Sequence, residues 1–212
     1  TLPHEVERII PEVQAALPGA LLGVHFHNDA GCAVANALLA VRLGVHQVQG
    51  CVNGYGERTG NANLSTVIPN LTLKMGYETI PRERIKLVTP ISHHIAEIVN
   101  VTPNPHDPYV GAAAFAHKAG LHTSAIARTP DAYEHLPPDW VGNLTRFVVS
   151  EMAGKSTLAL KARDAGIDLA DGELSAVLSQ LKDLEHAGYH FEAADGSMEL
   201  LLREAGGWRQ EF

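Results

Sequence analysis

An α/β fold with parallel strands is predicted by three features of the sequence. Leu21–His27 alternates apolar and polar residues, as a strand covered on one face must. A helix-periodic stretch marked by Val34, Ala37, Leu38 and Val41 follows it and closes at Gly44. A second strand-like run, "VHQVQGCV", then leads through a Gly/Asn-rich loop into a second helical stretch, Leu64–Gly76. Strand, helix, strand, helix at this spacing is the pattern of βαβ units. In sheets of that kind ligands gather beyond the carboxyl ends of the strands.

In chain order, residues Glu5–Leu17 read as a helix that Pro11 should kink or shorten. On the first strand Leu22, Val24 and Phe26 share one face, and Gly23, His25 and His27 share the other. Beyond the second helix, Thr89 is placed to cap a helix with Pro90 at its first position. Ile91, Ile95, Ile98 and Val99 mark the apolar face of that helix. "NVTPNPHDPYVG", with its prolines, reads as a linker out of the α/β portion. "AFAHKAGLHTSAIARTP" reads as a short helical segment and Arg146–Ser150 as a short strand. Asp171–Ala187 is the clearest helix, with Leu174, Val177, Leu178, Leu181 and Leu184 on one face and Gly188 ending it.

Composition narrows the function. The 212 residues are enough for one sizeable core, or a core with a small appendage, and no apolar run is long enough to span a membrane. A formal charge of −8 argues against a general nucleic-acid surface. The opening "TLPHEVERII" is charged and amphipathic, unlike a signal peptide. Two cysteines, Cys32 and Cys51, form no disulfide framework, and a reducing cytoplasm is the expected setting. With no initiator Met at one end and no evident tail at the other, the chain reads as a piece of something longer.

The polar residues at the strand ends are the candidates for chemistry. His25 and His27, two apart on a strand, project the same way and can reach one metal ion. The plain alternative is that one hydrogen-bonds the sheet end while the other is exposed. Asn28 and Asp29 follow directly and could orient the imidazoles. In the loop Asn53–Asn63, glycines 54, 56 and 60 permit close approach to a ligand, although glycine and asparagine also make ordinary turns. Glu57 and Arg58 set an acid beside a base in that loop, and Asn61 offers a neutral oxygen to a hard or borderline cation. Lys118 and His122 lie four apart and would share a helix face.

The motifs "HFHNDAGCAVANALLA", "GCVNGYGERTGNANL", "AFAHKAGLHTSAI" and "YEHLPPDWVGN" stand in an order and spacing that resembles the metal-dependent Claisen-condensing synthases. That family comprises the 2-isopropylmalate, homocitrate and citramalate synthases. The later segments "VSEMAGKSTL" and "LEHAGYHFEAADGSMELL" look most like its citramalate branch.

The resemblance implies the C-terminal part of a TIM (β/α)8 barrel over 1–108, then small, mainly helical subdomains over 109–160 and 161–212. It implies a divalent ion (Zn, Mn or Mg) held by His25, His27 and Asn61, with acetyl-CoA and a 2-oxo acid as substrates. His122 matches a histidine that a partner subunit brings for acid/base work, and Tyr133 a hydroxyl beside the substrate. Glu57 and Arg58 are expected mainly to stiffen the loop presenting Asn61, with a direct role on substrate as the alternative. The resemblance also implies that a first barrel strand, with another metal-binding aspartate, and a mid-barrel glutamate lie outside this chain, so no turnover is expected of the chain by itself. A homodimer is expected, and neither nucleic acid nor membrane is an expected partner. The rival readings are a sister synthase using another 2-oxo acid, a metal-binding module without turnover, and a structural body with an inert polar rim.

Overall fold

A computed structural model of the chain describes residues 1–117, 134–147, 154–191 and 194–208. Its contacts divide into two compact units, Thr1–Ala114 with Pro138–Asn143, and Phe115–Pro137 with Leu144–Phe212.

The first unit opens with α1 (Pro3–Ala16), which buries Val6 and Ile10. Proline at the first helical position and the Glu5 carboxylate, which accepts the Leu2 N–H at 2.8 Å, set its start. The helix runs through Pro11 to Ala16, so the proline does not shorten it. Pro11 and Glu7, whose carbonyl loses its donor, are both exposed residues, so water can replace the missing bond.

The strands β1 (Gly23–His25) and β2 (Gln47–Gln49) pair in parallel, with Val24 opposite Val48 and His25 opposite Gln49. Between them α2 (Ala33–Arg42) makes the crossover. Its innermost residues are small: Ala33, Ala37 and Ala40 are buried, and Val34, Leu38 and Val41 pack around the margin of the core. Leu22, Val24 and Phe26 lie against Val6, Ile10, Ala40 and Val45, so the alternation does turn the histidine face away from this core. α3 (Leu64–Pro69) begins at an Asn63 cap, whose side chain accepts the Ser65 N–H, and widens into a π-helical turn over Asn70–Lys74.

α4 (Val88–Ile98) faces the opposite way from its apolar pattern. Its buried residues are Val88, Thr89, Ser92 and Ala96, whereas Ile91, Ile98 and Val99 are 46%, 65% and 47% exposed. The reason is polar demand from within. Thr89 donates its hydroxyl to the Val141 carbonyl at 2.7 Å, and Ser92 meets the side chain of Asn53. Thr89 is therefore an internal anchor and not the expected cap, and a 3-10 turn over Arg82–Leu87 leads into the helix instead. Asn143, also buried, holds the same short segment by donating to the carbonyls of Tyr109 and Gly111 at 2.8 and 3.0 Å.

In the second unit a two-residue parallel pair joins β3 (Ala116–His117) and β4 (Arg146–Phe147). The backbone around His117 is thus strand, where the sequence pattern indicated helix. Three helices follow: α5 (Lys155–Asp164), α6 (Asp171–His186) and α7 (Asp195–Ala205). They enclose Leu158, Ala162, Leu174, Val177, Leu181, Phe191, Met198 and Leu202. The apolar face of α6 is the one its period predicts, and Gly188 at φ 98° accepts the left-handed turn that ends it. Among the described residues no helix is long and apolar enough to cross a membrane.

Candidate metal centre

Beyond β1 the chain stays extended and pairs a second time, now antiparallel, with the far end of the Gly/Asn loop. The Ala62 N–H donates to the Phe26 carbonyl at 3.1 Å and the Asn28 N–H to the Gly60 carbonyl at 2.8 Å, which places His27 opposite Asn61. The loop closes on itself as Cys51 N–H donates to Ala62 O and Leu64 N–H to Cys51 O. Asn61, at 7% exposure, is thereby carried to the strand end from which the histidines project.

The side chains converge there. The rings of His25 and His27 lie 5.1 Å apart, edge to face at 71°. The Asn61 amide nitrogen donates to His25 Nε2 at 2.9 Å and lies 3.5 Å from His27 Nδ1. An amide N–H can only donate, so the lone pair of His25 Nε2 is turned toward the same place. A cation needs that lone pair. The amide oxygen faces the other way, 3.6 Å from the Cys51 thiol, and a half-turn about χ2 exchanges it with the nitrogen.

The residues therefore fit a divalent ion as two imidazoles and a carboxamide oxygen. Among the described residues no three His, Cys, Asp or Glu side chains gather for a metal, so the amide is essential to this set.

Glycine is required where the loop passes this amide. A Cβ on Gly56 would overlap Asn61 Oδ1, and one on Gly60, at φ +86°, would overlap the Gly54 carbonyl oxygen. Arg58 grips Asp29 with both arms, Nε to Oδ1 at 2.8 Å and Nη2 to Oδ2 at 3.0 Å, joining the loops that follow the two strands. Glu57 stands 3.8 Å from Arg58 and is largely exposed. Asn28 accepts the Ala33 N–H at 3.1 Å and so holds the start of α2. Asn28 and Asp29, expected to orient the imidazoles, thus have other partners. His122 and Tyr133 lie outside the described residues. Cys32 and Cys51 are free thiols.

The Arg58 hydrogen bond draws the Asp29 carboxyl down from 3.8 to about 2. A carboxylate whose folded value is depressed supports the fold above its unfolded value and loses that support as pH falls through the folded one. The strap between the loops therefore holds above about pH 4 and releases toward pH 2. Carbon-detected NMR titration of Asp29 is expected to give a midpoint near 2 that rises toward 3.8 in Arg58→Ala. An unchanged midpoint in that variant would show that the pair does not form.

Sequence reading passed over Asn53, whose carboxamide binds Ser65 and Ser92. The only signal in the sequence is Asn-Gly, a turn dipeptide in which asparagine tolerates a left-handed backbone.

Two family matches cover most of the chain: residues 1–96 match the family described as HMGL-like, and residues 109–189 the one described as homocitrate synthase post-HMGL domain-like. An (R)-citramalate synthase of Streptomyces coelicolor is 53% identical over 95% of this chain and 38% of its own length. One of Aquifex aeolicus is 45% identical over 100% of this chain and 40% of its own. A 2-isopropylmalate synthase of Sulfolobus acidocaldarius is 34% identical over 91% of this chain and 50% of its own. The chain thus spans about 40% of the length of the citramalate synthases it matches.

Proposed function

We propose that this chain, which matches the HMGL-like family over residues 1–96 and the homocitrate synthase post-HMGL domain-like family over residues 109–189, forms the metal-binding end of the catalytic barrel of an (R)-citramalate synthase and its first helical subdomains. The reaction is the condensation of acetyl-CoA with pyruvate to give (R)-citramalate and CoA. The observation that carries the reading is the meeting of His25, His27 and Asn61 on one strand end. Choice of the citramalate branch rests on identities of 44–53% to five (R)-citramalate synthases, against 34–35% to two 2-isopropylmalate synthases.

In this reading His25 and His27 give their ring lone pairs, and Asn61 its amide oxygen after a half-turn, to a divalent ion. When bound, that ion supplies Lewis acidity to the ketone of the 2-oxo acid. Two imidazoles and one amide oxygen suit a borderline ion such as zinc better than a hard one such as magnesium. Asp29 and Arg58 keep the two rim loops in register, and Glu57 acts through Arg58. His122 moves a proton or orients water, and Tyr133 donates a hydrogen bond to substrate. Chemically, a base takes a methyl proton from acetyl-CoA, the carbanion adds to the ketone carbon, and water cleaves the thioester to free CoA. We place the protein in the cytoplasm, with its thiols reduced, as a homodimer.

The test is made on a full-length protein carrying this chain, supplied in turn with pyruvate, 2-oxoisovalerate and 2-oxoglutarate beside acetyl-CoA. Free thiol is expected with pyruvate and little with the others. Release with 2-oxoisovalerate instead would move the protein to the sister branch, and no release with any would exclude a synthase.

A further inference from the structure

Asn53 adopts φ 61° and ψ 10°, the left-handed conformation that glycine takes more readily than any other residue. The chain nonetheless keeps asparagine there, and its side chain is held at both ends. Nδ2 donates to the Ser92 carbonyl at 2.8 Å, while Oδ1 accepts the Ser92 hydroxyl at 2.6 Å and the Ser65 hydroxyl at 3.2 Å. The Asn53 N–H also donates to Ser65 Oγ at 3.3 Å. A backbone carbonyl can only accept, so the Ser92 carbonyl fixes which end of the amide is its donor. Both serines are 3% exposed, so they have no water to turn to.

One side chain thus ties the loop to α3 and to α4. The carbonyl of the next residue, Gly54, accepts the Asn61 N–H at 2.9 Å, and Asn61 reaches the histidines. Hydrogen bonds joined by the Asn53–Gly54 peptide thus lead from Ser92 to the backbone of Asn61, whose amide completes the metal set. Asn53 lies at the half-buried root of the loop and Arg58 at its exposed tip.

We propose that Asn53 is a positioning residue of the metal centre: by locking the left-handed turn between α3 and α4 it fixes the backbone of Asn61, and so the reach of the Asn61 amide toward His25 and His27. The proposal rests on reading these three residues as ligands, and the experiment separates the two ideas. Asn53→Gly keeps the turn and removes the clamp, so a residue that merely tolerates the backbone would be replaced without loss. Ser92→Ala removes one hydroxyl, suits a helix and leaves the loop sequence intact, so it carries the test should Asn53→Gly fold poorly.

With the full chain and Co2+ as probe, Asn53→Gly is expected to bind roughly tenfold more weakly, the scale of losing a residue that orients a ligand. Its ligand-field spectrum should shift toward that of Asn61→Ala, and the Asn61 N–H should exchange faster with solvent. Ser92→Ala should move the same readings in the same direction by less. Wild-type affinity, spectrum and exchange in both variants would overturn the proposal. If the wild-type chain binds no Co2+ and either variant still speeds exchange at Asn61, the ligand reading fails while the positioning role stands. No Co2+ binding together with unchanged exchange overturns both.

Discussion

Replacing His25 with alanine is expected to reduce divalent-cation affinity by more than the roughly 10–100-fold that follows loss of a mere orienting partner. His25 Nε2 makes the shorter of the two imidazole contacts with Asn61, at 2.9 Å, so it lies nearest the point of convergence. Removing it leaves one imidazole and one amide, too few protein donors for a tight site. The fold should scarcely notice, because His25 is exposed at the end of β1 and is absent from the apolar clusters packed around the strands. A change in stability within about 0.5 kcal/mol is the ordinary result at such a position. Titration calorimetry with Zn2+ or Mn2+ on the full chain checks the affinity, with exposed His94→Ala on α4 as a control that should bind as wild type. Equal affinity in His25→Ala and wild type would remove His25 from the ligand set. In a full-length protein carrying this chain, the same substitution should abolish release of free CoA from acetyl-CoA and pyruvate.

Gly60→Ala is expected to destabilise the first unit by about 2–4 kcal/mol and to abolish metal binding with it. Two costs combine. At φ +86° any Cβ is strained, by about 1–3 kcal/mol, and this one would also overlap the Gly54 carbonyl oxygen. That carbonyl accepts the Asn61 N–H, and Gly60 itself accepts the Asn28 N–H, so relief of the overlap must disturb a bond that builds the site. Gly31→Ala separates the two costs. Gly31 has φ +70° but nothing within 4 Å of its Cβ position, so only backbone strain applies there. Denaturant unfolding of the two variants should show the larger loss at Gly60. Equal losses would mean that the loop gives way without cost and that its tight passage does not define the site.

Periodicity revealed most where one face of an element is buried by apolar neighbours. β1 and α6 are of this kind: Leu22, Val24 and Phe26 turn inward in the first, and Leu174, Val177 and Leu181 in the second. It failed where polar groups set the orientation. On α4 the isoleucines suggested the inner face, but the interior supplies a carbonyl at Val141 and an amide at Asn53, so Thr89 and Ser92 turn inward instead. No local pattern contains those partners, which lie 52 and 39 residues away. Pro11 does not shorten its helix, because water can complete the bonding at that exposed turn. Near His117 two strand residues pair with Arg146–Phe147, a contact between distant segments that the local helical pattern could not show.

The candidate site was legible to a similar depth. Spacing alone put His25 and His27 on one face, and the motif order brought in Asn61. The clamp at Asn53 could not be read, because both of its hydrogen-bonding partners, Ser65 and Ser92, are ordinary serines in sequence. Nor does the sequence tell that Asn28 serves α2 and Asp29 serves Arg58, since an acid and an amide beside a histidine suit either role. Asn53 and Asp29 find their partners only once distant segments meet, whereas Asn28 bonds the start of the helix just beyond it.

Anomalous diffraction from crystals of the chain grown with zinc or manganese tests the metal centre most directly. A single peak within bonding distance of both imidazoles, with the Asn61 amide turned so that its oxygen faces the ion, is the predicted result. Density with no peak beside His25, or an ion that leaves the Asn61 oxygen on Cys51, would contradict it.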